Sequence, residues 1–174
     1  MLVAYLNLSG YMKIMKIKSR HHLKGSDARK VIASLEQFLD DPSPLRAASL
    51  EMAVTDEGID LIFVNGRPLI MLLDGLPFFT VLGAIELGPT KRLVVVDSGA
   101  VRFVVNGADI MNPGIVSADA EIAAGDLVVV VEERHKKPLA IGKALIPGSE
   151  MRGEGKAVKS LHHVGDQIWK GLEG

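Results

Sequence analysis

The sequence has no cysteine. Disulfides, thiolate-held zinc and iron–sulfur clusters are therefore excluded, and a reducing cytoplasm is the compartment that suits such a chain. Aromatic residues make up only 5% of the 174, so aliphatic side chains must fill the core. No apolar run approaches the roughly 20 residues needed to span a bilayer. An excess of one charge is missing too: the formal net charge is −1, which by itself gives no reason to propose a nucleic-acid partner. Catalytic patterns are also absent. There is no G-x-S-x-G elbow, no Walker loop and no G-x-G-x-x-G between a strand and a helix. No nucleophile stands beside a convincing base, so no catalytic residue is assigned. Histidines occur as His21-His22 and His162-His163 without HxH or HxxxH spacing, and neighbours in extended chain point to opposite faces. No metal and no cofactor is expected.

What is present is a chain that is 48% hydrophobic, too apolar for disorder and long enough for one or two small domains. Its charge is unevenly spread. Residues 12–30 carry seven Lys/Arg (Lys13, Lys16, Lys18, Arg20, Lys24, Arg29, Lys30) against Asp27 alone. Residues 31–88 carry two against nine Asp/Glu, and from Pro89 onward eleven face eleven. A basic block followed by an acidic region is thus hidden in the sum. Such a block is a first footprint of nucleic-acid binding, and equally what a solvated face looks like.

Residues 1–11 have no basic n-region or Ala-x-Ala site and read as an N-terminal extension of little functional weight, with Met12 and Met15 as alternative starts. Lys13–Lys18 reads as a strand. Ser26 offers an N-cap to a helix carrying Val31, Ile32, Leu35, Phe38 and Leu39, which Asp40-Asp41-Pro42-Ser43-Pro44 ends. Arg20, Lys24, Arg29 and Lys30 cluster around the start of that helix, a secondary basic patch suited to phosphate. Strands are expected over Ala47–Val54, Asp60–Val64 and Leu69–Leu73, with Asn65-Gly66 as a hairpin turn and the acids Asp56, Glu57 and Asp60 as solubilising turn residues. Gly75–Thr80 reads as a turn into a short helix. Leu87-Gly88-Pro89-Thr90 breaks the pattern and marks a domain boundary, giving domains 12–88 and 89–174.

In the second half, strands are expected over Arg92–Val96, Gly114–Ser117, Asp126–Glu133, Leu139–Ile146, Ala157–Val164 and Asp166–Trp169, with Ser149–Arg152 a turn or a single helical turn. The Leu127–Val131 run is apolar on both alternating sets, as in a strand enclosed on both faces. Many short strands suggest a small barrel. Between the first two strands lies Asp97–Val116, rich in glycine. Within it Ser98–Asn106 fits both helical and strand spacing; Asp97 or Ser98 as N-cap and Gly107 beyond the end favour a helix.

Val96-Asp97-Ser98-Gly99-Ala100, Asn106 to Ile115, Gly125-Asp126, Pro138-Leu139-Ala140-Ile141-Gly142, Gly155-Lys156-Ala157-Val158 and His162 to Trp169 together resemble the PUA domain, the module of pseudouridine synthases and archaeosine transglycosylases. The resemblance makes Ser98–Asn106 a helix. Leu23-Lys24-Gly25-Ser26, Ile62-Phe63-Val64-Asn65-Gly66 and Gly75 to Thr80 are similar to the pre-PUA domain of archaeal and eukaryotic proteins that include the "multiple copies in T-cell malignancy" translation-factor family. It implies an α+β pre-PUA domain followed by a mostly-β PUA pseudo-barrel with short helices. It also implies a non-catalytic, cytoplasmic RNA-binding protein that acts on tRNA or small-subunit rRNA in initiation, re-initiation or recycling, or in tRNA metabolism, at the small ribosomal subunit beside a density-regulated-type partner.

On that reading Gly99, Gly107 and Gly114 let an RNA backbone approach main-chain N–H groups, with Ala108, Met111 and Pro113 in the same loop. Arg102, Lys143, Lys156 and Lys159 supply charge. Phe103 and Met111 can stack on a base, but core or interdomain packing is the favoured reading of both. Asp97 and Asp109 read as caps that hold the loop's shape, and His162 as a hydrogen-bonding barrel residue. Two other functions compete. The acidic region 31–88 can dock a translation-factor partner, making the chain a protein-interaction adaptor. An RNA-modification enzyme or its accessory subunit, built on Asp97, Asp109 or His162, ranks last.

Overall fold

The computed structural model describes residues 2–6, 12–56 and 58–172. Residues 7–11 of the expected extension, and the turn acid Glu57, lie outside the described residues. The chain divides into two compact units, Met1–Gly88 with Gln167–Gly174, and Pro89–Asp166.

The first unit is an α+β assembly on one antiparallel sheet whose strands follow in sequence order: β1 (Leu2–Leu6), β2 (Met12–His22), β3 (Leu50–Thr55), β4 (Leu61–Val64), β5 (Arg67–Leu73) and β6 (Leu76–Phe79). Leu2–Leu6 pairs with the start of β2 and adds an edge strand. Asn65 and Gly66 both take positive φ, 49° and 83°, and close the β4–β5 hairpin. Helix α1 (Gly25–Glu36) buries Val31 and Leu35 one turn apart. Its cap is not Ser26. The Leu23 N–H bonds the Leu50 carbonyl at 2.9 Å and pins the chain, so the first turn closes on the Lys24 carbonyl, which accepts the amides of Asp27 and Ala28. Ser26 therefore sits inside the turn, and Lys24 is an N-cap with no side-chain bond. Phe38 and Leu39 are buried beyond the helix, where Phe38 meets Phe78 and Phe79 edge-on at 5.8 and 6.4 Å.

Two further expectations are corrected here. Strand β3 begins at Leu50 rather than Ala47, because Ser43–Arg46 forms a short helix, α2, with Pro44 in the first turn where its missing N–H costs nothing. Gly75–Thr80, expected as a turn into a short helix, holds a strand before that helix begins at Val81. Asp74 and Gly75 take positive φ, 52° and 77°, and form a hairpin, so Leu76–Phe79 is a strand. Pro77 is tolerated because β6 lies at the sheet's edge. Thr80 then caps α3 (Val81–Leu87): its hydroxyl accepts the Gly83 N–H at 2.9 Å and donates to the Pro68 carbonyl at 3.1 Å.

The second unit contains β7 (Leu93–Val96), α4 (Ser98–Val104), β8 (Ile110–Met111), a 3₁₀ turn at Asn112–Gly114, β9 (Ile115–Ala118), β10 (Leu127–Glu132), β11 (Pro138–Ala144), a second 3₁₀ turn at Gly148–Glu150 and β12 (Lys156–His163). Its sheet runs β8-β12-β11-β10-β7-β9, with β7 and β10 parallel and the other pairs antiparallel. The two edge strands, β8 and β9, are consecutive in the chain and separated only by Asn112-Pro113-Gly114. The sheet therefore curls until its edges are joined by one tight turn, the pseudo-barrel solution to unpaired edges. Val128 and Val130 enter the core beside Val94, Val96 and Val104, and Val129 and Val131 are equally buried, as the doubly apolar run implies.

Asp166–Trp169 is not a strand. Gly165 (φ 84°) and the Asp166 carboxylate, bonded to His162 and the His163 N–H, stop β12. Residues Gln167–Leu172 then form a helix, α5, which packs with β1 and α3 of the first unit.

Helix α3 crosses β5 so closely that a Cβ on Gly83 would lie 1.8 Å from the Leu69 carbonyl oxygen. Gly83→Ala is expected to destabilise the protein by about 3 kcal/mol, the upper part of the range for overpacking, read as a lowered urea midpoint.

Candidate nucleic-acid interface

Helix α4 is fixed at both ends by its own sequence. Asp97 is the N-cap: its carboxylate accepts the Ala100 N–H at 2.8 Å. At the other end Gly107 takes φ 82°, and the bonds Gly107 N–H to Val104 O and Ala108 N–H to Phe103 O close a Schellman-type stop. Val104 enters the core with Ala100, Val101 and Val105 packed beside it, which leaves Arg102 and Phe103 facing solvent.

The chain then doubles back along the helix. Between α4 and residues 108–114 lies a mostly apolar cavity of about 470 Å³, lined by Asp97, Gly99, Ala100, Phe103, Val104, Ala108, Asp109, Ile110, Met111, Pro113 and Gly114. Phe103 is 53% exposed and Met111 45%. Neither is a core residue of its unit; both present apolar surface at the cavity. Gly114 is where the turn touches the helix: a Cβ there would lie 2.9 Å from that of Ala100. The Gly114 carbonyl accepts the Asp97 N–H at 2.9 Å. Gly107 does not line the cavity; it ends the helix against His163 Nε2, 2.8 Å from where a Cβ would stand.

Asp109 is not a cap. Its Oδ1 accepts the Ser160 N–H of β12 at 3.0 Å and its Oδ2 pairs with Lys156 Nζ at 3.0 Å, so it bridges the loop to a strand about fifty residues further on. The Lys156 bond, helped by the Ser160 amide, holds its carboxyl below the usual carboxylate range against the opposing effect of burial. Lys143 and Lys159 stand directly opposite each other on β11 and β12, both exposed. Like charges so placed weaken a sheet, and nothing in the fold calls for them. The Arg102 guanidinium lies 4.6 Å from the Phe103 ring centroid, a cation–π contact at the surface.

The secondary patch is only partly assembled. Arg20 is taken up by Glu51, at 2.7 and 3.1 Å, and stacks over Phe63 at 4.0 Å, so it is a structural cation of the β2–β3 pair. Lys24, Arg29 and Lys30 remain exposed at the start of α1, Lys30 at 3.9 Å from Asp27. His162 is fully buried, with Nδ1 2.9 Å from Asp166 Oδ2. His163 turns its Nδ1 to the Val164 carbonyl at 2.9 Å.

Asn112 has no role that its sequence context reveals. It is buried; its backbone N–H bonds the Gly155 carbonyl at 2.9 Å and its side-chain N–H the Glu154 carbonyl at 2.8 Å, latching the turn to the loop before β12. The Asn-Pro-Gly string marks a turn but does not say what the turn is tied to.

Asp109 yields a pH prediction. Its native pKa is lowered, so its contribution is complete above the ordinary carboxylate range near ~4 and is lost as pH falls through the lowered native value. Asp109→Asn is expected to cost about 0.5–1 kcal/mol at neutral pH, as for a half-exposed ion pair with an amide bond. The difference from wild type should vanish in acid, measured as urea midpoints across a pH series.

Residues 92–165 match the PUA domain model. An uncharacterized protein of Methanocaldococcus jannaschii is 42% identical over 89% of this chain and 98% of its own length. Translation machinery-associated protein 20 of Saccharomyces cerevisiae is 30% identical over 88% of this chain and 92% of its own. The crystal structure of a hypothetical protein from Pyrococcus horikoshii superposes with a TM-score of 0.80 at 38% identity, covering 88% of this chain and 99% of that one. A PUA pseudo-barrel behind an α+β unit, with relatives that match along almost their whole length, identifies the chain as a member of the PUA-domain family of translation machinery-associated protein 20 and malignant T-cell-amplified sequence 1.

Proposed function

We propose that this chain is a non-catalytic RNA-binding protein that holds tRNA or small-subunit rRNA at the α4 cavity, in translation initiation or recycling or in tRNA metabolism. The observation that carries the reading is the cavity itself: an apolar recess with an exposed aromatic ring and a methionine beside it, and with Lys156 held on the Asp109 that lines it. An unpaired nucleotide offers such a recess a flat apolar face, and its phosphates suit Arg102, Lys143, Lys156 and Lys159. Gly99 and Gly114 are part of the cavity wall. The PUA domain is an RNA-binding module, and the yeast relative's name associates it with the translation machinery. Both support the reading, and a cytoplasmic site of action goes with it.

Filter binding to purified tRNA and rRNA fragments across a salt series tests it. Affinity should fall linearly on a logarithmic plot as counterions are re-bound. Phe103→Ala should weaken binding by about 1–3 kcal/mol, the worth of one base–aromatic stack, and leave the salt slope unchanged. Absence of a salt-sensitive complex with either RNA overturns the proposal.

A second reading, an adaptor that docks a density-regulated-type translation factor, is favoured by Leu76 and Ile85, which are 62% and 49% exposed on the first unit. Pull-down after RNase treatment separates the two: a partner that survives RNase supports docking, and loss of every partner removes it.

A further inference from the structure

The β10–β11 hairpin ends in Glu132-Glu133-Arg134-His135-Lys136-Lys137, a run that the RNA reading above does not use. Its acids face the fold. Glu132 accepts three turn amides: Arg134 N–H at 2.8 Å on Oε2, and His135 N–H at 2.6 Å and Lys137 N–H at 3.1 Å on Oε1. The carboxylate fills an anion nest made by its own turn. Glu133 Oε1 accepts the Ser98 N–H at 3.0 Å, in the first turn of α4. The cations face the other way. Arg134, Lys136 and Lys137 are exposed, and no ion pair engages them among the described residues. Lys136 sits at φ 54°, where glycine would avoid the strain.

Placement gives the cluster a partner. Glu132 lies beside Val96 in the parallel β7–β10 register, and Asp97 follows directly. The Glu133–Ser98 bond fixes the tip to the helix start whose Asp97 and Gly99 line the cavity. Lys156, through Asp109, stands on the cavity's other wall. We propose that the Arg134–Lys137 tip is a second phosphodiester-binding element, pre-organised by Glu132, which holds the backbone of RNA seated in the α4 cavity. The proposal rests on the RNA reading of that cavity. Continuity with the cavity and three unpaired cations on a rigid turn favour a polyphosphate strand over an acidic protein surface. Contacts of this kind position the RNA and add salt dependence without adding sequence preference.

The test compares wild type, Phe103→Ala, the triple variant Arg134→Gln/Lys136→Gln/Lys137→Gln, and Glu132→Ala on the same tRNA and rRNA fragments over a salt series. The triple variant should bind with a salt slope shallower by about two, roughly 0.7 for each of three single-strand phosphates that are no longer neutralised, on every RNA that wild type binds. Glu132→Ala removes a negative charge, so bulk electrostatics alone would tighten binding; loss of the pre-organised tip should weaken it. An unchanged slope in the triple variant, with Phe103→Ala still impaired, overturns this inference and leaves the cavity reading standing. No binding by wild type overturns both. An unchanged slope together with loss of an RNase-resistant protein partner assigns the tip to protein docking instead.

Discussion

One backbone hydrogen bond, from the Asp97 N–H to the Gly114 carbonyl at 2.9 Å, joins the end of a central strand to the turn that closes the pseudo-barrel. Everything distinctive about the second unit is arranged around it. The same aspartate caps α4 with its side chain, so the helix start is registered against the turn. The same glycine admits the Ala100 methyl, so only that methyl stands between the helix and the turn. A hydrogen bond contributes only about 0.5–1.5 kcal/mol net, too little to hold this geometry alone. Asn112, bonded twice to the loop before β12, and Asp109, bonded to Ser160 and Lys156, supply the rest. The cavity is the gap that these ties leave open.

The charge balance of the chain has a structural explanation. In the second unit acids serve as acceptors for the protein's own amides: Asp97 for Ala100, Asp109 for Ser160, Asp119 for Leu93, Asp126 for Ala123, and the Glu132 and Glu133 pair for the hairpin turn and α4. These carboxylates stay ionised but are directed at backbone amides of the fold. Lysines and arginines, which have nothing to accept with, stay at the surface. A chain with a net charge of −1 can thus present cationic surface, which is why the bulk number misleads.

Much of the fold was legible in the residues. The doubly apolar Leu127–Val131, the Asn65-Gly66 hairpin and the Asp97-to-Gly107 frame of α4 each carry a local reason for their structure, and local reasons are what sequence patterns record. What was illegible depended on distant partners. Ser26 looks like a cap until Leu50 pins the chain one turn earlier. Leu76–Phe79 reads as part of a turn until its pairing at the sheet's edge, where Pro77 is tolerated, makes it a strand. Arg20 reads as free charge until β3 brings Glu51 beside it. The candidate site divides the same way. The glycine-rich loop announces itself, whereas the exposure of Phe103 and Met111 follows from how the chain doubles back, and the inward turn of Glu132 from the geometry of a short hairpin loop.

The return of α5 to the first unit has a consequence for how the protein is made. Synthesis delivers residues in order, so the entire second unit emerges before the segment that packs with α3 and β1. The pseudo-barrel can therefore complete itself while the first unit is still missing a piece, and that first unit finishes only when the last helix arrives.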